Sequence, residues 1–293
     1  MPGNLVAATP AVGGGAHWVG HVERHAQRIP DRVALKFEGR ATTYAGLHRR
    51  IRALAAGLSE RGVAQGDRVA VLMANRAEFV ESLLAVNLLG AIAVPVNFRL
   101  SAREVAHIVR DSGSRLLFAD ADLAAAAPAD PSLRCVVIGE PWEGAEAYED
   151  VFSDSAPPVV GIDERDIALI MYTSGTTGAP KGAMLSHLNL LMQSLTLIRG
   201  WRLFSEDEVN LCASPLFHIA AIGSVAPMLL IGATIVIMPS GQFGAGAVLD
   251  LVEGEQVTSM FLVPAQWQVL CADPDAPSRA RSLRTIGWGA APA

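Results

Sequence analysis

The chain has 293 residues, of which 51% are hydrophobic and 18% are charged, and its formal net charge is −6. Such an apolar composition argues against disorder and favours an α/β fold whose strands are buried on both faces. The negative charge and the scattered arginines give no reason to expect nucleic-acid binding. The three cysteines, Cys135, Cys212 and Cys271, lack disulfide or zinc-site spacing, so we expect reduced thiols in a cytoplasmic protein.

Two segments bear on targeting and membranes. Residues 1–16 lack the basic region of a signal peptide, and we expect them to form a flexible leader. Ile219–Met238 is apolar and long enough to span a bilayer. Gly232 and the β-branched residues after it favour a helix followed by the strand Thr234–Met238 instead. We therefore predict no transmembrane segment, while peripheral membrane contact stays open.

The N-terminal half alternates short β-rich runs with amphipathic helices, a pattern typical of βαβ units and a parallel sheet. Ser101 with Glu104 forms a capping-box pattern. In chain order the predictions are helix His25–Ile29, hairpin strands Ala34–Phe37 and Ala41–Thr43, helix Tyr44–Arg61, strand Arg68–Met73, helix Arg76–Leu89, strand Ala91–Val96, a helix from Ser101 to Arg110, strand Arg115–Phe118, one more helix, and strand Val136–Ile138.

The second half continues the alternation after an acidic, proline-rich stretch, Pro141–Asp163, which we interpret as a surface excursion. The predicted elements are strand Asp166–Met171, strand Gly182–Leu185, helix His187–Arg199, strand Asn210–Ala213, helix Phe217–Ile231, strand Thr234–Met238, helix Ala245–Glu253, strand Ser259–Val263, helix Ala265–Cys271 and strand Thr285–Trp288.

The stretch from Tyr172 to Lys181, YTSGTTGAPK, follows an apolar strand and has the composition of a phosphate-binding loop. It is not a Walker A motif, because Pro180 precedes the lysine and Gly182 follows it. Glycines let backbone N–H groups face an anion, hydroxyls add donors, and a lysine adds charge. The candidate phosphate-binding residues, with ATP as the expected nucleotide, are Thr173, Ser174, Gly175, Thr176, Thr177, Gly178 and Lys181.

The same loop resembles the phosphate-loop signature of the adenylate-forming superfamily, which contains acyl- and aryl-CoA synthetases, luciferases and peptide-synthetase adenylation domains. Pro215–His218 (PLFH) matches a second family element, and Gly289–Pro292 (GAAP) resembles the GGAP element with Ala290 replacing its second glycine. Gly66–Ala70 and Pro95–Leu100 also resemble the family's N-terminal region. The resemblance extends from about His17 to the end of the chain.

The resemblance implies an α/β fold made of two doubly wound lobes of the adenylate-forming N-terminal domain, incomplete and lacking the small C-terminal domain. The first lobe would comprise residues 66–205 and carry the phosphate loop. The second would be split between residues 17–65 and residues 206–293.

The resemblance also implies a two-step reaction that uses ATP, Mg and coenzyme A. A carboxylate attacks the α-phosphorus of ATP to give an acyl-adenylate and pyrophosphate, and the thiol of coenzyme A then displaces AMP. By the same resemblance, His218 would be the catalytic residue at the acid pocket. Gly289, Ala290 and Ala291 would pass their backbone along the adenine, and no metal ligand can be assigned.

In the resembled family the helix after the PLFH element lines the acyl pocket, so the resemblance makes this segment bear on the kind of acid. Four small residues of the predicted helix would leave volume for an alkyl chain, and no carboxylate lies nearby to pair with an amino acid's ammonium group. We therefore expect a medium- or long-chain fatty acid. The four residues are Ala220, Ala221, Gly223 and Ser224.

Several elements of the resembled family are absent from these 293 residues: the YGxTE element, the ribose-binding Asp, the hinge and the catalytic Lys of the C-terminal domain. Lys36 and Lys181 are the only lysines. The first expectation is therefore an inactive or partial N-terminal fragment of an AMP-forming acid-CoA ligase. The alternatives are a non-catalytic nucleotide-binding protein, an aryl- or amino-acid-adenylating enzyme, and an interaction or membrane-associated protein that keeps only the fold. The oligomeric state is not indicated.

Overall fold

The computed structural model describes residues 17–173, 180–241 and 243–290. The helices in these ranges are α1 (Trp18–Arg28), α2 (Tyr44–Glu60), α3 (Ala77–Leu88), α4 (Ala102–Ser112), α5 (His187–Trp201), α6 (Ile219–Ile231), α7 (Ala245–Gly254), α8 (Pro264–Cys271) and α9 (Ala276–Arg279). The strands are β1 (Val33–Phe37), β2 (Arg40–Thr43), β3 (Arg68–Leu72), β4 (Ile92–Pro95), β5 (Leu116–Asp120), β6 (Arg134–Ile138), β7 (Glu146–Ala147), β8 (Ile167–Thr173), β9 (Lys181–Ser186), β10 (Val209–Cys212), β11 (Thr234–Ile237), β12 (Ser259–Leu262) and β13 (Thr285–Trp288).

The strands form two sheets. The order is β7-β6-β5-β3-β4-β8-β9 in the seven-stranded sheet and β13-β12-β10-β11-β1-β2 in the six-stranded sheet. The β1–β2 and β8–β9 pairs are antiparallel, and the other pairs are parallel. Helices cross on both faces of each sheet, since α3 and α6 pack on the inner faces and α4 and α7 on the outer ones. The expected α/β fold with two doubly wound sheets is confirmed.

One apolar core joins the inner faces of the two sheets through a shared layer of helices. The cluster takes residues from α1, α2, α3 and α6 and from both sheets, such as Leu35 of β1 and Val71 of β3. Tyr44 of α2 donates a hydrogen bond from its hydroxyl to the carbonyl of Ala233 at 2.8 Å. Because both sheets pack on these helices, the division into lobes at residues 65 and 206 stays a prediction.

The apolar segment that raised the membrane question divides as the sequence indicated. Helix α6 ends at Gly232, whose φ of +81° is the left-handed conformation that terminates helices, and β11 follows directly. A Cβ at Gly232 would lie 2.9 Å from the His25 ring, so there is no room for a side chain at this position. Among the helices described, none has the length and apolarity needed to cross a membrane.

The first helix is longer than the predicted His25–Ile29. It begins at Trp18, because the Nδ1 atom of His17 accepts a hydrogen bond from the backbone N–H of Val19 at 3.1 Å and caps the helix. Trp18 and Val22 are buried against the shared core. The prediction was wrong there because polar and small residues interrupt the apolar spacing at this end.

The acidic stretch at residues 141–163 is not wholly a surface excursion. It contains β7 and a 3-10 helix, Tyr148–Val151, and the side chains of Tyr148 and Val151 are buried. The Tyr148 ring meets Phe118 edge-on with the ring centroids 5.7 Å apart. One aromatic and one aliphatic anchor therefore fix an otherwise polar segment. Between β5 and β6 the predicted helix is likewise replaced by a short 3-10 helix, Ala121–Ala126.

Candidate functional site

The predicted phosphate loop connects two antiparallel strands. Thr173 at the end of β8 pairs in register with Lys181 at the start of β9, so the threonine hydroxyl and the lysine flank the two ends of the loop. Lys181 is exposed. The remaining candidate residues of this loop lie outside the described residues; they are Ser174, Gly175, Thr176, Thr177 and Gly178.

Gly182 allows the two flanking strands to approach each other. A Cβ at this position would lie 2.6 Å from Cγ2 of Ile170 and 3.1 Å from Cζ of Tyr172. The Tyr172 hydroxyl donates a hydrogen bond to Asp111 of α4 at 2.6 Å. Burial and this bond raise the pKa of Tyr172, so the phenol stays protonated as a donor. Glycine follows the lysine because a side chain at position 182 would clash with Ile170 and Tyr172.

His218 forms the start of α6. Its Nδ1 accepts a hydrogen bond from the backbone N–H of Ala220 at 3.1 Å, which caps the helix. Because Nδ1 is the acceptor, the neutral ring carries its proton on Nε2. The imidazole is exposed, which distinguishes it from the buried His17, His21 and His187. An exposed imidazole with a fixed orientation can donate a hydrogen bond to an anion.

A cavity of about 300 Å³ joins the two elements that the sequence singled out. It lies where β8 and β10 end, the carboxyl edge at which open α/β folds bind ligands. Thr173 and Pro180, on the two flanks of the phosphate loop, line it together with Phe217 and His218. Its other lining residues are Pro95, Asn97, Leu100, Glu104, Ile108, Met171, Tyr172 and Ile219.

Gly289 and Ala290, the described part of the GAAP element, lie at the same edge, and neither lines this cavity. Gly289 and Ala290 follow β13, which is two strands from β10 in the sheet order and hence about 10 Å away at the usual strand spacing. Ala290 has a φ of +66°, a conformation that glycine adopts more easily. Ala291 lies outside the described residues.

The small residues of α6 do not form the open volume that the sequence suggested. Ala221, Gly223 and Ser224 are buried, and a Cβ at Gly223 would lie 2.7 Å from Nε2 of Gln193 on α5. The small side chains therefore permit close packing of α5 on α6. Among the residues described, neither these three nor Ala220 lines the 300 Å³ cavity.

A larger cavity, of about 790 Å³, lies where β3 and β5 end. The chain runs from β3 to β4 on one side and then to β5 on the other, so this is a switch point of the sheet. Arg76 pairs there with Asp120 at 2.6 Å. Phe98 lines this cavity and meets Phe217 of the smaller one edge-on, at 5.4 Å between centroids. Sequence reasoning missed these residues, although polar residues directly after a parallel strand are a usable signal.

A second missed residue, Asn75, follows β3 and is buried. Its side chain binds Ser214, Leu216 and Met238, all on the six-stranded-sheet side. For the metal, the described part of the chain contains no group of three or more potential His, Cys, Asp or Glu ligands. We therefore assign no residue to magnesium.

Comparison with known proteins identifies the family. The model of the family described as AMP-binding enzyme matches residues 22–293, so the chain belongs to the AMP-binding enzymes, and the resemblance inferred from its motifs is confirmed. The chain is 42% identical over 274 residues to the feruloyl-CoA synthase of Amycolatopsis sp, a match covering 92% of this chain and 53% of that protein.

Two further relatives differ in the acid that their names specify. The long-chain-fatty-acid–CoA ligase of Thermus thermophilus is 36% identical over 265 residues, covering 86% of this chain and 48% of that protein. The solved structure of the anthranilate CoA ligase AuaEII in complex with anthranoyl-AMP matches with a TM-score of 0.85 and 25% identity, covering 94% of this chain and 55% of that one. The chain thus spans about half the length of the curated relatives it matches.

Proposed function

We propose that the protein takes part in the ATP-dependent activation of a carboxylic acid to an acyl-adenylate, followed by transfer to coenzyme A. The observation that carries the proposal is the shared 300 Å³ cavity, where both flanks of the phosphate loop meet His218. The names of the relatives, two CoA ligases and a CoA synthase, support the same reaction class.

The first step brings a carboxylate and a polyphosphate together, so it needs donors and positive charge around both anions. Lys181 and the hydroxyl of Thr173 are suited to the β- and γ-phosphates. His218 is suited to the acid, because its Nε2 proton can be donated to a carboxylate oxygen while Nδ1 stays bound to the helix. In the proposed site, magnesium when bound would neutralise part of the phosphate charge.

The acid is proposed to be apolar. A medium- or long-chain fatty acid is the first candidate, supported by the Thermus relative and by lining residues such as Leu100, Ile108 and Met171. An aryl acid is the second candidate, because the feruloyl-CoA synthase shares more identity with this chain and because two aromatic residues, Tyr172 and Phe217, line the cavity.

Two assays test the proposal. The first measures the rise in melting temperature caused by the decanoyl, feruloyl and leucyl forms of acyl-sulfamoyl-adenosine. The largest rise with the decanoyl analogue supports a fatty acid, and the largest rise with the feruloyl analogue supports an aryl acid. Stabilisation by the leucyl analogue alone would contradict an apolar acid, and stabilisation by none would contradict the site. ATP–pyrophosphate exchange with the preferred acid then separates turnover from binding. Binding without exchange would support the non-catalytic alternative.

Variants connect the result to the site. Lys181→Ala should weaken ATP binding, while the matched change Arg281→Gln, at an exposed arginine of the region between α9 and β13, should leave it unchanged.

We also propose a cytoplasmic location on the basis of the thiols. All three cysteines are free, and burial raises the pKa of Cys212 to about 12, so that thiol is unreactive.

A further inference from the structure

An arginine-lined cavity lies at the opposite edge of the seven-stranded sheet from the His218 cavity. It has a volume of about 230 Å³ and is formed where β3, β5 and β6 begin, beside the end of α2. The five residues of β3 separate the two edges, which corresponds to about 17 Å. Four arginines line the cavity, and Asp67 is the one acidic residue in its described lining. The arginines are Arg61, Arg68, Arg115 and Arg134.

Arg68 is held rigidly. Its Nε, Nη1 and Nη2 atoms donate to the carbonyls of Ser112, Gly66 and Gly113 at 2.6, 3.1 and 3.2 Å. Gly113 has a φ of +67°, and a Cβ there would clash with Nη2 of Arg68. The guanidinium is therefore fixed by carbonyls, and two of its five N–H groups are not used by these bonds. This is a preorganised cation rather than a mobile surface side chain.

Arg115 stands next to Arg68 in the strand register. Val69 pairs with Leu116, so the residues just before them lie side by side, and the N–H of Arg115 donates to the carbonyl of Arg68 at 3.3 Å. Like charges opposite each other on neighbouring strands are destabilising unless an anion lies between them. In the described ranges, neither Arg68 nor Arg115 forms a salt bridge with a carboxylate.

The other two arginines share one counter-ion. Arg61 and Arg134 both pair with Glu146, at 2.7 and 3.2 Å. The positive charge at Arg68 and Arg115 is thus not offset by that carboxylate. The volume corresponds to roughly seven or eight waters at about 30 Å³ each, which is enough for a small oxyanion with some of its hydration.

We propose that this cavity is a second anion site, distinct from the phosphate loop, which binds a small multivalent oxyanion of the phosphate type. Arg68 supplies the fixed donor, and Arg115 supplies the charge that completes the site. Guanidinium groups suit phosphate because they donate paired N–H groups to its oxygens. A cavity of about 230 Å³ accommodates a small oxyanion such as orthophosphate or pyrophosphate.

The test is calorimetric titration of the chain with orthophosphate and with pyrophosphate at low ionic strength. Because the phosphate loop can bind the same anions, the titrations are repeated in Lys181→Ala. The expected result is one binding event that survives Lys181→Ala and weakens at least tenfold in Arg115→Gln. Arg115 is exposed, so its replacement should not prevent folding.

Arg281→Gln is the matched control, since it also removes an exposed arginine but lies on the other sheet's side of the protein. The proposal is overturned if Lys181→Ala abolishes all binding, if Arg281→Gln weakens it as much as Arg115→Gln does, or if neither anion binds. Preference for orthophosphate or for pyrophosphate identifies which anion the site takes.

Discussion

The side chain of Asn75 accepts a hydrogen bond from the backbone N–H of Leu216 at 2.7 Å, across 141 positions of sequence. Asn75 follows β3 of the seven-stranded sheet, whereas Leu216 belongs to the PLFH element after β10 of the six-stranded sheet. The amide nitrogen of Asn75 donates to the carbonyls of Ser214 and Met238 at 3.0 and 3.1 Å. One buried amide therefore fixes the segment that leads into His218.

Replacing Asn75 tests this connection. Asn75→Ala leaves the N–H of Leu216 and two carbonyls without their partner, and each buried unsatisfied group costs about 1–3 kcal/mol. Because three such groups are left, we expect the free energy of unfolding, measured with urea, to fall by about 3 kcal/mol or more.

Asn75→Asp is the isosteric comparison. It keeps the acceptor for Leu216 but sets a carboxylate against two carbonyls, so we expect its loss of stability relative to the wild type to be smaller at pH 5 than at pH 8. If both variants unfold at the wild-type urea concentration, the hydrogen bonds of Asn75 between the two sheets do not contribute to the free energy of unfolding.

Gly182 offers a second test, directly beside the phosphate loop. Its Cβ would meet Ile170 at 2.6 Å and Tyr172 at 3.1 Å, so Gly182→Ala should overpack the β8–β9 pair and cost about 1–3 kcal/mol. Because Tyr172 lines the 300 Å³ cavity, adenylate-analogue binding should weaken as well.

The matched control for this change is Gly200→Ala on α5. A Cβ at Gly200 would contact nothing within 4 Å, and alanine favours a helix over glycine by about 0.5–1 kcal/mol. Gly200→Ala should therefore be neutral or stabilising. Equal destabilisation by both changes would show that the contact at Gly182 is not the cause.

Local signals in the sequence were enough to predict much of this fold. The Ser101–Glu104 capping box is present, with the N–H of Ser101 donating to Glu104 at 2.9 Å, and Gly232 ends α6 where the β-branched run begins. These features depend on residues within a few positions of each other. The strands on either side of the predicted phosphate loop, β8 and β9, were also predicted, because each is a short apolar run within the local sequence.

Features that depend on distant parts of the chain could not be predicted. In the sequence Asn75 has the features of an ordinary turn residue. Its contacts with Leu216 and Met238 form only when the two sheets pack together. Tyr148 lies in an acidic stretch, and only its contact with Phe118 reveals that it is buried. Likewise, Gly223 suggested an open pocket because its neighbour across the helix interface, Gln193, is not evident from spacing.

His218 has a structural role and a proposed chemical role, and two variants separate them. His218→Ala removes the cap of α6 and should cost about 0.5–2 kcal/mol of stability. Asparagine is itself a good cap, so His218→Asn should retain the wild-type stability. Both should lower ATP–pyrophosphate exchange and adenylate-analogue affinity, as measured by exchange and calorimetry. Full function in His218→Asn would mean that His218 serves only as a cap.

Histidines on and beside α1 are buried, so the stability of the protein should depend on pH. Desolvation by burial is the main cause that lowers the pKa of His17 and His21 to about 4 and that of His187 to about 3. His17 and His187 stack with their centroids 4.3 Å apart, so each disfavours protonation of the other. Their ordinary pKa is about 6.5.

Between about pH 6.5 and pH 4, the unfolded chain therefore binds protons that the folded protein does not. The free energy of unfolding falls as the pH falls through this window, by up to about 1.4 kcal/mol per pH unit for each of the three imidazoles. Urea unfolding at pH 7, 6, 5 and 4.5 measures the slope. His187→Phe keeps a ring against His17 but cannot titrate there, so its slope should be shallower by about one proton. Arg281→Gln, which removes no imidazole, should keep the wild-type slope, and an unchanged slope in His187→Phe would show that His187 is not one of the groups responsible.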